Sequence, residues 1–331
     1  MFSALLAAAL AVPAPVPSGP GTKALRDAVT AALGPLRLGA VGHAEQKTCF
    51  ACHNQAPPMF AFATAKGHGF ELPASLFTSQ ATHVLGFLET NRTRFKNGTG
   101  TGGAAATAGY ALFTLELAGH KPDEDTAAVA GYLLTTQADR DHWRTTSNRP
   151  PTEASDFTTT YFALRALRVW GPGAKLDADK VKTRAASARG WLAKADAKDT
   201  EDRAFRLLAL KEVGAERKEL AAAAWELLRR QRPDGSWAQL DGGRGDAYAT
   251  GLALVALHAG GELKADAPAY RAGTAYLLKT QRADGTWFVK SRSKPFQPYY
   301  ESGFPHEKDQ FISIAASGWA AAALTFALPG K

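Results

Sequence analysis

Gln231-Arg-Pro-Asp-Gly-Ser-Trp237 and Gln281-Arg-Ala-Asp-Gly-Thr-Trp287 are two copies of one short device. Each is preceded by a helix-like run with paired leucines, Glu226-Leu-Leu-Arg-Arg and Tyr276-Leu-Leu-Lys-Thr. Asp-Gly supplies a turn through its permissive backbone, the tryptophan can fold back onto the helix it follows, and the glutamine amide can bond neighbouring backbone. An older copy stands upstream, where Tyr132-Leu-Leu-Thr-Thr-Gln137 is followed six residues later by Trp143. The glutamines lie 94 and 50 residues apart, which leaves space for a further copy near Trp191 that has lost its glutamine. The result is an internal repeat of about 45 to 50 residues, the signature of a helical-repeat architecture.

Working outward from these turns, helical periodicity appears on both sides of each. Charged, outer-type helices are expected over 75–92, 123–137, 179–195, 216–231 and 268–281. Inner-type helices rich in Ala, Leu and Tyr are expected over 104–118, 157–170, 202–213, 247–259 and 311–327. A first pair precedes them. Leu25, Val29, Leu33 and Leu36 share one helix face, with Gly39-Ala-Val-Gly42 expected to end that helix. The second helix of the pair is expected to start near Gln55, because Pro57-Pro58 belongs in a first turn. The chain is therefore all-α and built from six helical hairpins.

Bulk composition agrees with one folded domain. Hydrophobic residues make up 45% and charged residues 21% of the 331 positions, with 17 Phe and 7 Trp to fill a core. Lys and Arg exceed Asp and Glu by 39 to 31, but the excess is scattered and no basic stripe is interleaved with aromatics, so nucleic acid is not an expected partner. No later apolar run is long enough to span a bilayer. Phe2 to Val12 is a short apolar run followed by Pro13-Ala-Pro15 and a Pro/Gly/Ser tract, which reads as a signal peptide and linker over residues 1–22, ahead of a single domain over 23–331. The expected location is the periplasm or another exported compartment.

Both cysteines of the chain fall in one string, Cys49-Phe50-Ala51-Cys52-His53. C-x-x-C-H is the attachment signature of a c-type haem, two thiols bonding the porphyrin and the adjacent histidine reaching iron. Three other readings stand beside it: a thioredoxin-like redox pair, which needs a βαβ context; a zinc site, which needs further ligands; and a small structural disulfide between Cys49 and Cys52. One covalent haem c, held by Cys49, Cys52 and His53, is the leading expectation.

The Q-x-x-D-G-x-W repeats resemble the QW motifs of the squalene-hopene cyclase and protein prenyltransferase superfamily over roughly residues 75–328. That resemblance implies an (α/α)6 toroid with a central cavity lined by inner helices, and small apolar or isoprenoid-like molecules as ligands. The Cys49–His53 string, together with the segment from Pro298-Tyr-Tyr-Glu-Ser-Gly-Phe-Pro to His306-Glu-Lys-Asp-Gln310, is similar to a bacterial subgroup that joins such a toroid to a haem-type motif. The acidic D-x-D-D cluster of the hopene-type cyclases does not occur in the sequence, where Asp139-Arg-Asp141 is the nearest text and reads as a solvated turn. The zinc set of the prenyltransferases is not recognisable either.

A closed ring would bring the last inner helix beside the first, so His306 is the preferred sixth ligand of an iron held by His53, with His43 and an open site as alternatives, while Met59, six residues along the same segment, is expected to pack in the core. Asp309 beside His306 is a candidate for orienting that ligand or relaying a proton. Asp156, Asp202, Asp246 and Asp309 are otherwise expected to cap inner helices. The leading function is electron transfer or oxidative chemistry on a small apolar molecule, with a redox protein as partner. The alternative is a haem-free isoprenoid-processing or lipid-binding protein with a Cys49–Cys52 disulfide and a cavity lined by Phe60, Phe62, Phe157, Tyr161, Tyr248 and Phe311. A third reading is a scaffold whose cavity is filled by its own side chains.

Overall fold

A computed structural model describes residues 20–293 and 299–329. Residues 1–19 of the expected 1–22 leader and linker, and Pro298, lie outside the described residues, and helix begins at Thr22, one residue ahead of the expected domain start. Twelve α-helices alternate as six hairpins: α1 (Thr22–Gln46) with α2 (Cys52–Gly67), α3 (Ala74–Lys96) with α4 (Ala104–Leu117), α5 (Glu124–Thr135) with α6 (Asp156–Trp170), α7 (Ala178–Lys194) with α8 (Thr200–Glu212), α9 (Arg217–Leu228) with α10 (Ala247–Ala259), and α11 (Pro268–Thr280) with α12 (Gln310–Phe326). Each even-numbered helix packs on the next even-numbered one, and α12 packs on α2, so the inner helices close into a ring. The first four odd-numbered helices pack in succession on the outside, and α11 meets α1 at the seam. A two-residue ladder, β1 (Trp237–Ala238) with β2 (Gly245–Asp246), is the strand content of the described residues.

The glutamine and tryptophan device holds the hairpins together through the backbone. Trp143, Trp237 and Trp287 are fully buried, and each indole N–H donates to a leucine carbonyl ten residues back, Leu133, Leu227 and Leu277, at 2.8–2.9 Å. The amide of Gln231 donates to Gly235 O at 3.0 Å and across to Ala269 O in α11 at 2.8 Å. The amide of Gln281 donates to Gly285 O at 2.9 Å and across the seam to Ala28 O in α1 at 2.8 Å. Gly285 has φ +83°, and a Cβ there would run into Ala31 O, so both the turn and the close approach to α1 require glycine.

The degenerate copies show what the device replaces. Gln137 reaches only its own loop, accepting from Arg144 N at 2.7 Å, and the tie to the next outer helix is reversed: Arg184 of α7 donates back to Arg140 O at 2.7 Å and lies 4.0 Å over the Trp143 ring. At the end of α7, Ala195 stands where the glutamine would be and α8 begins at Thr200, which leaves that connection without a tryptophan.

Two boundaries differ from expectation. Gly39 and Gly42 do not end α1, which continues to Gln46; instead they let neighbours approach, since a Cβ at Gly39 would meet Ile314 and Phe304 and one at Gly42 would meet Ser302 O. Helix α2 starts at Cys52 rather than near Gln55, with Pro57 and Pro58 inside it. Gln55 explains the early start, because its backbone N–H bonds Ala51 O at 3.2 Å while its side-chain carbonyl accepts from Ala51 N at 3.0 Å.

Replacing Gln281 with Ala is expected to cost about 1–3 kcal/mol, the penalty for stranding partly buried carbonyls, whereas Gln137→Ala should stay within about 0.5 kcal/mol, as for an exposed local contact. Urea unfolding of the two variants checks this; equal losses would deny the seam its special role.

Candidate functional site

Because the inner helices run in the same direction around the ring, the segments leading into them gather at one end. A cavity of about 490 Å³ opens there, and its walls come from the end of α1, the Cys49–Asn54 string entering α2, Thr101–Gly103 before α4, the Ser147–Glu153 stretch before α6, and Glu307–Phe311 entering α12. Phe50, Phe87 and Phe311 supply apolar surface, and Lys47, Arg149 and Lys308 supply positive charge.

Cys49 and Cys52 are both free thiols on this wall, so the disulfide of the alternative reading is not formed. Cys49 is exposed and Cys52 buried; burial, then the Glu153 charge, pushes the Cys52 thiol well above its usual range. A thiol held neutral in this way is a poor redox nucleophile. His53 occupies the first turn of α2 and is 8% exposed. Its Nδ1 faces Glu153 Oε1 at 3.4 Å, and the other oxygen, Oε2, accepts from Arg149 at 3.2 Å. Arg149 and Glu153 are further clamped by a backbone bridge, with N–O distances of 3.0 and 3.1 Å. Burial works to raise the Glu153 carboxyl, but its pairing with His53 and Arg149 outweighs burial and holds it below its ordinary value.

A second network positions the start of the string. His43 Nε2 donates to Cys49 O at 2.8 Å, its Nδ1 accepts from the Tyr300 hydroxyl at 2.5 Å, and Asn54 Nδ2 donates to the same hydroxyl at 3.2 Å. Burial pushes His43 down to about 4, which keeps the ring neutral with one donor and one acceptor nitrogen, as this arrangement needs. His83 adds a second bond to Cys49 O at 3.2 Å. The side-chain oxygen atoms of Asn54 and Thr101, both in cavity-lining residues, are buried and without a partner.

The structure does not bring His306 into this wall. Its backbone is left-handed at φ 85°, and its Nε2 meets the Thr286 hydroxyl at 2.7 Å beside Phe288 and Phe304, in the QW turn rather than the cavity. Asp309 stands at the N-cap position of α12, as expected, but its side chain makes no capping bond and instead accepts from Ser291 N at 2.7 Å. The neighbours of these two residues, Glu307, Lys308, Gln310 and Phe311, are the ones that reach the cavity. Met59 is fully buried and packed in the core. Among the expected caps, Asp246 caps α10 by accepting from Ala249 N at 2.9 Å, but Ser155 and Asp199 cap α6 and α8, while Asp202 bridges to the Ser155 hydroxyl at 2.7 Å.

Of the aromatics expected to line a central cavity, Phe311 does so at the mouth. The axis below is occupied by side chains. Phe60, Phe113, Phe162, Phe205 and Trp319, from α2, α4, α6, α8 and α12, form a closed circuit of ring contacts with successive centroid distances of 6.0, 5.1, 5.5, 6.3 and 5.3 Å. Between this circuit and the mouth lies a buried polar layer that the sequence reading missed: Glu201, 2% exposed, accepts from the Thr158 and Tyr248 hydroxyls at 2.7 Å each, and Tyr110 donates to Thr152 O at 3.1 Å. The available signal was a glutamate in the first turn of an inner helix, on the same face as Phe205 and Leu208. Among the described residues, no cluster of three or more His, Cys, Asp or Glu side chains is placed to hold a metal ion, and no helix is long and apolar enough to cross a membrane.

No family model and no curated protein matches the sequence. The fold is nevertheless that of the terpene cyclases. The type II terpene cyclase MstE from Scytonema superposes with a TM-score of 0.55 at 15% identity, covering 94% of this chain and 100% of the cyclase chain. A variant of that cyclase with the substrate geranylgeranyl dihydroxybenzoate bound gives 0.56 at 15% identity over 94% of this chain and 99% of its own. A protein from Actinoplanes gives 0.52 at 14% identity, over 90% of this chain and all of that one.

Glu201 allows a pH test of the layer under the cavity. Burial, reinforced by Asp199 and Asp202, raises its carboxyl well above the ordinary 4.5, so the folded protein keeps a proton that the unfolded chain releases. Its contribution is full below about pH 4.5 and is lost as pH rises towards the folded value. Glu201→Gln, which cannot ionise and still bonds both hydroxyls, should gain stability relative to the parent between about pH 5 and about pH 8, by no more than about 1.4 kcal/mol per unit. A difference in urea midpoints that is flat with pH would show that Glu201 is ionised.

Proposed function

We propose that this protein carries one c-type haem at the mouth of a terpene-cyclase-like toroid, with Cys49 and Cys52 as the attachment thiols and His53 as the axial ligand. The observation that carries the reading is the convergence of two free thiols and a carboxylate-backed histidine, in C-x-x-C-H spacing, on one cavity. Further support comes from the donor set. A single imidazole cannot hold a bare ion, whereas a porphyrin provides the remaining ligands, and a volume of about 490 Å³ lies within the roughly 300–1,000 Å³ of cofactor sites.

Within such a site the chain's own groups have separable tasks. Cys49 and Cys52 tether the group. His53 offers Nε2 while Glu153 takes Nδ1–H, which sets the tautomer and the ring orientation. Lys47 and Lys308 are the cations that would face carboxylate substituents of the group, Arg149 being paired with Glu153, and Phe50, Phe87 and Phe311 would cover its apolar faces. Haem, once bound, supplies one-electron and oxidative chemistry. The reading places the protein in the periplasm or another exported compartment, where it transfers electrons to a partner protein or oxidises a small apolar molecule. A second reading, an isoprenoid-like ligand in the same cavity without haem, draws on the likeness to a cyclase bound to a geranylgeranyl substrate; the aromatic circuit leaves such a chain little depth.

Export of the full chain from a host equipped for cytochrome c maturation tests both. Haem that survives acid–acetone extraction, together with an intact mass raised by one haem, is expected, and both should disappear in Cys49→Ala/Cys52→Ala. A mature protein with unmodified thiols in that host would refute the haem reading and favour the isoprenoid one.

A further inference from the structure

The surroundings of His53 are one-sided. On its Nδ1 side stands a buried carboxylate, itself braced by Arg149 through one side-chain bond and two backbone bonds. The other imidazoles near the cavity, and Met59, are already engaged. His43 has both ring nitrogens engaged, by Tyr300 and by the Cys49 carbonyl. His83 spends Nε2 on the same carbonyl, and His306 is held by Thr286 outside the wall. Met59 is core. Among the described residues, the wall besides the attachment string holds one further imidazole, the doubly bonded His43, together with phenylalanine rings, glycines, hydroxyls, Gln310, two lysines and the Arg149, Glu153 and Glu307 charges.

We infer that the chain would offer a haem at this site His53 as its one histidine and would leave room opposite for a small exogenous ligand of the cyanide or carbon monoxide class, and that Glu153 is the positioning residue that would make His53 an electron-rich ligand. This rests on the haem reading above. A carboxylate accepting the Nδ1–H bond raises the basicity of a ligating imidazole. A more basic axial ligand favours ferric over ferrous iron, so the carboxylate lowers the reduction potential, the lever that second-shell hydrogen bonding gives a protein. An electron transferrer with two strong axial ligands would instead need a second side chain poised over the cavity.

The test uses the haem-loaded, full-length protein. Its ferric spectrum should be high-spin without additions, cyanide should convert it to low-spin, and the ferrous form should bind carbon monoxide. Glu153→Gln keeps the side-chain shape but removes the charge, and it should shift the redox equilibrium at least about tenfold towards ferrous haem, about 59 mV upward for a one-electron couple, with an altered iron–histidine stretch. Arg149→Gln, at a largely exposed side chain, should move the potential downward, and it carries the test if Glu153→Gln does not fold. A low-spin ferric spectrum without added ligand, or a potential that neither variant moves, overturns the inference while leaving covalent haem in place. Absence of covalent haem from the parent protein is a different result, and it removes the reading on which the inference stands.

Discussion

The amide of Gln281 joins the last outer helix to the first by donating at once to its own turn and to Ala28 across the seam. A ring of hairpins is stable only if its ends meet, because an open arc leaves the apolar faces of α2 and α12 in water. The indole of Trp287 and the glycine that lets the turn approach α1 serve the same closure. Once the ring is closed, the starts of all six inner helices lie at one end, and the position of the cysteine string follows from that geometry rather than from anything local to it.

Closure also decides what the interior can hold. Rings from five inner helices meet on the axis, so the molecule does not enclose the deep central chamber that the fold permits. A cavity of about 490 Å³ lies at the mouth instead, above a buried layer of Glu201, Tyr248, Thr158 and Tyr110. A site there is half protein core and half entrance loop, apolar against Phe311 and charged at Lys47, Arg149 and Lys308.

Most of the helices were readable before any coordinates, because a repeat with paired leucines and an Asp-Gly turn announces its own period, and the expected spans agree with the observed ones to within a few residues. The exceptions have local causes. Gly39 and Gly42 look like stops but serve packing against Phe304 and Ser302, and Gln55 starts α2 early through its own side chain. The site was less legible. His306 and His43 are both plausible ligands as letters; which ring nitrogens are already spent depends on Thr286, Tyr300 and the Cys49 carbonyl, partners up to 257 positions away.

The sequence by itself determined the helical class, the hairpin order, the architectural glutamines and tryptophans, and the pairing of two thiols with His53, since all of these reside in short spacings set by helix period and turn chemistry. Tertiary structure alone decided that Glu153, a hundred positions from His53, is its partner, that His306 belongs to a QW turn, and that the axis is filled. The reason is physical: ring closure joins segments whose separation along the chain carries no record of their distance in space, and hydrogen-bond capacity used in one contact is withdrawn from every other.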